Sequence, residues 1–373
     1  MAKILIVGGG VIGTMHAWQA LKAGHEVVQL ERDGHPRSAS VRNFGLVWVS
    51  GRASGPELAE AIRARELWDE LATDFKTLKF RANGSLTIAR NEAEVLVMQQ
   101  SVEKTDAADR QWRMLDAAET REINPAVRGE FLASLWCPLD AAVEPGEVLG
   151  SIRAGLEASE RYEVRFNKDV IDITETADSV VVKCRDGEQE TADLVILCPG
   201  ADHTSLYRDI YESAPLRRVR LQMMSTAPYD ETITTSIADG DSMRYYPGYD
   251  VEALGALPPQ HPVAAAEKMQ LLLVQRADGT LTIGDTHEYD EPFNFKLRED
   301  AYQYLAQVAE SILGRKLPEI THRWDGVYSQ RTDGAICDRR WISSRIISVT
   351  GPGGRGNSLA PAIAETTFKE IQL

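Results

Sequence analysis

The chain has 373 residues, of which 43% are apolar and 26% charged, and 41 basic against 56 acidic side chains give a net charge of −15. This composition is typical of a globular protein with room for two domains, and the negative charge disfavours nucleic acid or an anionic membrane as the main partner. No apolar run is long enough for a membrane span. The four scattered cysteines contain no CxxC pair, so we expect neither a metal site nor a disulfide framework, and a cytoplasmic location.

The first apolar run, 3–7, leads directly into the glycine turn Gly8-Gly9-Gly10-Val11-Ile12-Gly13, and a second run, 26–30, ends at Glu31. Gly8 permits a tight turn, Gly10 lets the backbone approach a pyrophosphate, and Gly13 lets the following helix pack close to the sheet. A carboxylate at the position of Glu31 suits ribose hydroxyls and disfavours a 2′-phosphate. The pattern predicts a complete βαβ dinucleotide-binding unit with NAD or FAD, rather than a signal peptide or an idle glycine turn.

Hydrophobic periodicity predicts helices over 14–23, 57–75, 91–121, 146–160 and 300–313, and strands over 84–89, 164–170, 180–184, 194–198 and 345–349. Strand-like segments alternate with turns over 216–290. Strands from the start, middle and end of the chain read as parallel-sheet strands. We therefore predict an α/β fold with a discontinuous, Rossmann-like nucleotide domain (1–85, 145–215 and 325–373). A second α+β domain on an antiparallel or mixed sheet (86–144 and 216–324) would cover the cofactor.

Over nearly its whole length the chain resembles the D-amino-acid, glycine and sarcosine oxidase family of FAD-dependent amine oxidoreductases. Besides the glycine turn, the resemblance rests on Ser38–Gly45, Asp193–Ala201, Trp324–Gly326 with Thr332–Gly334, and the glycine loop Thr350–Gly356. It implies FAD as the cofactor. The implied FAD-binding residues are Gly8, Gly10, Val11, Ile12, Gly13, Glu31, Arg32, Ser40, Arg42, Asn43, Phe44, Gly45, Val170, Pro199, Gly200, Gly351, Gly353, Gly354, Arg355, Gly356, Asn357 and Ser358.

The departures from this family concern the substrate. Where its amino-acid oxidases read G-x-R-P, with an arginine that grips the substrate carboxylate, this chain reads Gly326-Val327-Tyr328-Ser329. Tyrosine cannot supply that charge. Gly326 also stands near the position at which some relatives link a cysteine to the flavin, so we expect non-covalent FAD. Pro352 replaces a histidine found in many relatives.

The segment Ser40–Trp48 is similar to a branch of the family associated with phosphonate breakdown, which implies an aminoalkylphosphonate such as 2-aminoethylphosphonate or its N-methyl derivative. A phosphonate favours several cationic or N–H donors over one carboxylate fork. The candidate substrate residues are Arg42, Trp48, Tyr245, Tyr328, Arg331 and Arg355. Plainer interpretations stay open: Arg42 pairs with an FAD phosphate, Arg331 is a surface charge, the aromatic residues only pack, and His287 is a turn residue.

The resemblance implies oxidation of a C–N bond to an imine, which hydrolyses to an aldehyde or keto acid plus an amine. The acceptor would be O2, giving H2O2, or an electron carrier. No catalytic residue is assigned, because this chemistry needs a neutral, positioned amine and no triad is evident. Alternatives are a glycine, sarcosine or D-amino-acid oxidase, an amine or NAD-dependent dehydrogenase, and a non-catalytic FAD- or NAD-binding protein. The oligomeric state is open.

Overall fold

The computed structural model describes residues 1–371 and contains a mostly parallel six-stranded sheet. In spatial order its strands are Asp338–Ser343, Ile346–Thr350, Leu194–Leu197, Lys3–Val7, Glu26–Leu30 and Tyr162–Arg165. The central strand Lys3–Val7 pairs in parallel with a neighbour on each side, and only the edge strand Asp338–Ser343 is antiparallel. Strands from the start, middle and end of the chain therefore share one sheet, which confirms the Rossmann-like α/β prediction.

A second, larger sheet is mixed. In spatial order its strands are Ile320–Arg331, Leu216–Thr226, Leu281–Gly284, Leu272–Gln275, Ser236–Ala238, Ser85–Ala89, Ala133–Cys137 and Arg113–Leu115. All neighbours are antiparallel except Ser236–Ala238 and Ser85–Ala89. The strand Ile320–Arg331 runs across the expected domain boundary at 324/325, and the division into two domains stays a prediction.

Two small sheets and a set of helices complete the fold. The small sheets consist of Gln189–Ala192, Val180–Cys184 and Val170–Glu175, and of Leu46–Val47 and Ala141–Ala142. The α-helices are Val11–Lys22, Pro56–Asp74, Glu92–Val102, Ala117–Ile123, Val148–Leu156, Arg208–Glu212, Ser242–Tyr245, Pro262–Glu267, Glu299–Leu313 and Gly356–Glu370. Short 3₁₀ segments lie at Ala39–Val41, Pro247–Tyr249, Glu252–Ala256 and Gly353–Arg355.

The buried apolar residues explain how the two sheets are held together. One core cluster joins the six-stranded sheet to the helices Val11–Lys22, Pro56–Asp74 and Gly356–Glu370. A second lies between the eight-stranded sheet and the helix Glu299–Leu313, and another links Phe44 and Trp48 to strands of the larger sheet. Burial of this much apolar surface fixes the position of the loop around Trp48, which faces the cavity described below.

Two sequence predictions of local structure are wrong. The predicted strand 164–170 is the end of one strand, Tyr162–Arg165, and the start of another in a different sheet, because Asn167 takes a left-handed conformation (φ 58°) between them. The predicted helix 91–121 ends at Val102 and is followed by the strand Arg113–Leu115, with Gln111 at φ 57° before it. Asparagine and glutamine turns of this kind leave little trace in hydrophobic periodicity.

Candidate active site

A cavity of about 860 Å³ extends from the glycine turn to the eight-stranded sheet, within the range of small-molecule sites. Its walls include every residue that the sequence analysis assigned to cofactor or substrate, except Gly45 and Gly351. Those two support the walls from behind. A Cβ on Gly45 would lie 2.1 Å from the Val143 carbonyl oxygen, and a Cβ on Gly351 would lie 2.6 Å from Leu216 Cδ2.

The glycine turn forms one end of the cavity, and its glycines have different functions. Gly8 adopts φ +119°, and a Cβ there would lie 2.4 Å from the Cys198 carbonyl oxygen. A Cβ on Gly13 would lie 2.1 Å from the Gly8 carbonyl oxygen. Gly10 is less crowded, with Ser40 Oγ at 3.1 Å as its near contact. Gly8 and Gly13 are therefore required by the fold, whereas Gly10 keeps open a space beside the helix N-terminus.

Glu31 and Ser40 hold this end of the cavity rigid. The buried Glu31 carboxylate accepts the backbone N–H of Gly9 at 2.7 Å and that of Asp33 at 3.0 Å, one on each oxygen. Ser40 Oγ accepts the Val11 N–H at 2.9 Å. Each carboxylate oxygen keeps a second acceptor site for a hydroxyl. A glycine cradle, a helix N-terminus and a buried carboxylate together fit the pyrophosphate and ribose of a dinucleotide.

The C-terminal glycine loop leads into the helix Gly356–Glu370, whose first residues face the cavity. Ser358 Oγ accepts the Trp48 N–H at 2.8 Å, and Asn357 Nδ2 donates to the Leu46 carbonyl at 3.0 Å. Asn357 Oδ1 is buried and has no hydrogen-bond partner among residues 1–371. An unpaired buried acceptor is costly in a closed protein, so this oxygen suits a bound donor group.

The three arginines that were expected to face the substrate already have protein partners. Arg42 is partly exposed and donates to the carbonyls of Arg37 and Asp325, at 2.7 and 2.9 Å. Arg331 pairs with both Asp333 and Asp338. Two carboxylates neutralise its charge, which leaves little attraction for an external anion.

Arg355 belongs to a buried cluster with Glu57 and Arg52, two residues that sequence reasoning missed. Arg355 Nη1 lies 3.0 Å from Glu57 Oε2, and Arg52 Nη1 lies 3.9 Å from Glu57 Oε1. Arg52 is 4% exposed and also donates from Nε to the Trp48 carbonyl at 2.9 Å. Two guanidinium groups thus share the Glu57 carboxylate, and a second buried acid, Asp140, also acts on Arg52 electrostatically.

The loop that carries Arg52 is held in place by a second buried acid, Asp140. The Asp140 carboxylate accepts the N–H groups of Val49 and Ser50 and the hydroxyls of Ser50 and Ser85, at 2.6 to 3.1 Å. Burial also lowers the pKa of Arg52, against the opposing effect of Glu57. An isolated arginine in a glycine- and serine-rich loop gives no sequence signal, because its burial depends on Asp140 about 90 residues away in the chain.

The other end of the cavity, which we call the aromatic end, consists of Tyr245, Tyr246, Gln270, Asp285, His287 and Tyr328. The rings of Tyr245 and Tyr246 are 5.0 Å apart, and the Tyr245 ring is 4.3 Å from that of His287. Gln270 Nε2 donates to the Tyr246 hydroxyl at 3.3 Å. His287, which the sequence suggested as a turn residue, is buried.

Several buried polar atoms along this cavity have no hydrogen-bond partner among residues 1–371. They are Trp48 Nε1, Glu57 Oε1, Gln270 Oε1, Asp285 Oδ1, Tyr328 Oη and Asn357 Oδ1. Native proteins leave few such atoms, and a concentration of them on one cavity wall is typical of a binding site. Burial also raises the pKa of the Tyr328 hydroxyl well above its ordinary value, so it stays protonated and can donate.

Within residues 1–371, no helix is long and apolar enough to cross a membrane. The same residues contain no group of three or more His, Cys, Asp and Glu side chains placed to hold a metal ion.

The parallel sheet and the glycine cradle are typical of a dinucleotide-binding protein, and an aromatic cavity adjoins the cradle. The comparison with family models identifies the protein further. Residues 3–369 match the model described as FAD dependent oxidoreductase, and the chain belongs to this family. Its cofactor is therefore FAD, which the glycine turn, Glu31 and Asn357 fit.

Individual relatives are distant in sequence. The chain is 27% identical over 237 residues to an opine oxidase subunit from Agrobacterium tumefaciens (strain Ach5), a match that covers 59% of this chain and 62% of that protein. It is 22% identical over 253 residues to D-amino acid dehydrogenase from Helicobacter pylori (strain ATCC 700392 / 26695), with coverage of 54% and 60%. The chain thus spans less than two thirds of the length of these curated relatives.

Solved structures match over the whole chain. Glycine oxidase from Bacillus cereus ATCC 14579 has a TM-score of 0.80 and 19% identity, with coverage of 100% of this chain and 96% of the other. L-proline dehydrogenase from P. horikoshii has a TM-score of 0.79 and 18% identity, with coverage of 100% and 94%. These structures show the shared fold.

Proposed function

We propose that this protein is an FAD-dependent oxidoreductase that oxidises the C–N bond of a small primary or secondary amine bearing an anionic group. The observation that carries the proposal is the composition of the cavity beyond the glycine cradle. It combines the guanidinium groups of Arg52 and Arg355, which share the single paired carboxylate of Glu57, with aromatic walls and unpaired polar atoms. A site for a structural nucleotide alone has no need of this second set of groups.

FAD, when bound, supplies the acceptor for the two electrons and the hydrogen that leave the amine carbon. In this proposal FAD is bound without a covalent bond, because Gly326 stands where some relatives have the linking cysteine. Cys337, which is partly buried, lies too far along the chain to take that place. The imine product then hydrolyses to an aldehyde or keto acid plus an amine.

The anion is the part of the substrate that the buried cluster recognises. Arg52 Nη1 is 3.9 Å from Glu57 Oε1, too far for a hydrogen bond, so this nitrogen is available to an anion while Nε stays on the Trp48 carbonyl. Trp48 Nε1 and Tyr328 Oη supply two further unpaired donors on the same cavity. A phosphonate has three oxygens, and several separate donors can bind them better than one arginine that makes two parallel hydrogen bonds.

We therefore propose an aminoalkylphosphonate, such as 2-aminoethylphosphonate or its N-methyl derivative, as the substrate. Support comes from the similarity of Ser40–Trp48 to the phosphonate-associated branch and from Tyr328 at the usual arginine position. Of the arginines expected from the sequence, we retain Arg355. The paired state of Arg42 and Arg331 favours roles in holding the loops around FAD.

The second candidate within this class is an oxidase or dehydrogenase of glycine, sarcosine or a D-amino acid. Relatives and structural neighbours include an opine oxidase subunit, a glycine oxidase and a D-amino acid dehydrogenase. Arg52 could then bind a carboxylate. These relatives and structural neighbours include both oxidases and dehydrogenases. We propose O2 as the electron acceptor, with an electron carrier as the alternative.

The test is an anaerobic titration of the FAD-loaded protein, followed by bleaching of the visible flavin band. The panel is 2-aminoethylphosphonate, its N-methyl derivative, glycine, sarcosine and D-alanine. Bleaching by the phosphonates alone supports the full proposal, and bleaching by the carboxylates alone replaces the phosphonate with an amino acid. A flavin that none of these amines reduces, nor any other amine in a broader panel, would exclude amine oxidation.

A further inference from the structure

The acid at the aromatic end of the cavity has no function in the proposal so far. Asp285 follows the strand Leu281–Gly284, is 5% exposed, and has one carboxylate oxygen, Oδ1, without a hydrogen-bond partner among residues 1–371. Its backbone is fixed by the pair of hydrogen bonds with Gln270, and the next residue, Thr286, accepts the Gln222 N–H at 3.1 Å. The unpaired oxygen is therefore held on a rigid support at the cavity wall.

We propose that Asp285 is the group that receives the substrate ammonium and accepts its proton, which delivers the neutral amine for oxidation. This inference rests on the proposed amine oxidation. The step is R–NH₃⁺ + Asp285–COO⁻ → R–NH₂ + Asp285–COOH, in which one N–H bond breaks and one O–H bond forms. In a cavity that excludes water the neutral pair is favoured over two desolvated charges.

The surroundings of Asp285 are those of a cation site. The rings of Tyr245, Tyr246 and Tyr328 line the same end of the cavity, and aromatic faces attract ammonium groups. Gln270 Oε1 is a second buried acceptor without a partner among residues 1–371. Arg52 and Asp285 thus line one cavity, and Tyr246 is near both of them.

His287 lies beside the carboxylate. Its Nδ1 lies 3.0 Å from the Lys268 carbonyl, which can only accept, so Nδ1 bears the hydrogen and Nε2 faces Asp285. Nε2 is 3.9 Å from Asp285 Oδ2, beyond hydrogen-bond distance but within electrostatic range. Burial raises the pKa of the Asp285 carboxyl, with His287 opposing the shift. A raised pKa makes the carboxylate a better proton acceptor.

The magnitude of the effect follows from the pKa of an alkylamine. An amine with a pKa near that of lysine, about 10.4, is neutral in about one molecule in 10³ at pH 7. Without an acceptor on the protein, only that fraction would be ready to react. The other ionisable groups that face Asp285 are His287, Tyr245, Tyr246, Tyr289 and Tyr328, and burial raises the pKa of each of these tyrosines, so none of them is a base near neutral pH.

The experiment compares Asp285→Asn with the parent protein in anaerobic flavin reduction between pH 6 and 10, using the best amine of the panel. We expect reduction to be at least about 10²-fold slower in the variant at pH 7, with the gap narrowing toward pH 10 as free amine accumulates. Asp239→Asn is the matched control, because Asp239 is another buried acid of the same sheet region that does not line the cavity. Equal rates and equal pH profiles in Asp285→Asn and parent would overturn the proposal.

A binding measurement covers the case in which Asp285→Asn fails to fold or to hold FAD. The parent protein is titrated with the best amine and with its carbon isostere, propylphosphonate for 2-aminoethylphosphonate or propionate for glycine. We expect the isostere to bind at least about tenfold more weakly, and equal affinity would refute the ammonium site. If no amine reduces the flavin of the parent protein, the proposed function itself is refuted. If amines reduce the parent and the Asp285→Asn variant equally fast, only the role of Asp285 is refuted.

Discussion

Replacing Arg52 with glutamine tests the proposed anion site. Arg52 is 4% exposed, and with Arg355 it shares the single carboxylate of Glu57. Arg52→Gln therefore removes one of the two positive charges of the cluster and leaves the Arg355–Glu57 pair at 3.0 Å intact. Losing two charge-assisted hydrogen bonds to an anion costs about 3–6 kcal/mol, and we take the lower value. That corresponds to a rise of about 10²-fold in KM for an anionic amine.

The assay is steady-state or anaerobic reduction kinetics with one anionic and one neutral amine of similar size. KM for the neutral amine should change little, because it has no group for Arg52 to bind. Arg331→Gln is the control: this arginine also lines the cavity but is paired with Asp333 and Asp338. Since Arg52 also donates to the Trp48 carbonyl, Tm and FAD content are recorded for each variant. An equal rise in KM for both amines would refute the anion site.

Three further predictions concern the cofactor, the aromatic end and pH. Gly10→Ala should fold with little change in Tm but lose the yellow FAD band, because its Cβ contacts only Ser40 Oγ, at 3.1 Å, yet fills the pyrophosphate cradle. Gly13→Ala should unfold the turn instead, because its Cβ would lie 2.1 Å from a carbonyl oxygen. Tyr328→Phe removes a buried hydroxyl without a partner among residues 1–371, so Tm should stay equal or rise while KM for the anionic amine rises about tenfold. Burial raises the pKa of Asp239 from 3.8 to about 7, so between these values the unfolded chain releases a proton that the folded chain keeps. The free energy of unfolding should therefore fall from pH 4 to 7 by at most about 4 kcal/mol. Asp239→Asn should flatten this pH dependence in denaturant titrations, and an unchanged dependence would contradict the assignment.

The nucleotide end of the cavity could be predicted from the sequence because its requirements are local. Gly8, Gly10 and Gly13 act within one turn, and Glu31 ends the next strand along the chain. The requirement for glycine at position 9 could not be predicted, because the GxGxxG pattern leaves that position free. In the structure a Cβ on Gly9 would lie 2.7 Å from Glu31 Oε2. The parallel sheet was equally predictable from continuous apolar runs, while the split at Asn167 and the end of the helix at Val102 depend on backbone conformations that periodicity does not encode.

The groups at the other end of the cavity could not be predicted, because their properties come from burial and from distant partners. Arg52 is an ordinary loop residue until Asp140 fixes its segment and Glu57 and Arg355 surround it. Asp285 and His287 read as a polar turn, whereas in the folded chain both are at most 5% exposed. The pKa and the binding properties of a charged side chain depend on its burial, and no pattern in a single sequence shows whether such a side chain is buried.

The proposed anion and cation sites together constrain the substrate more closely than either site does alone. The proposed anion site at Arg52 and the proposed cation site at Asp285 require a molecule that carries both an acid and an amine, and they would fix its direction in the cavity. A simple alkylamine would leave Arg52 and the donors of Trp48 and Tyr328 unpaired, and a hydroxy acid would leave Asp285 facing no cation. Each mismatch leaves a buried polar group without a partner, which costs about 1–3 kcal/mol or more. The two proposed sites therefore predict selection for an amino acid or an aminophosphonate over both of these classes, and the length between acid and amine decides between those two substrates.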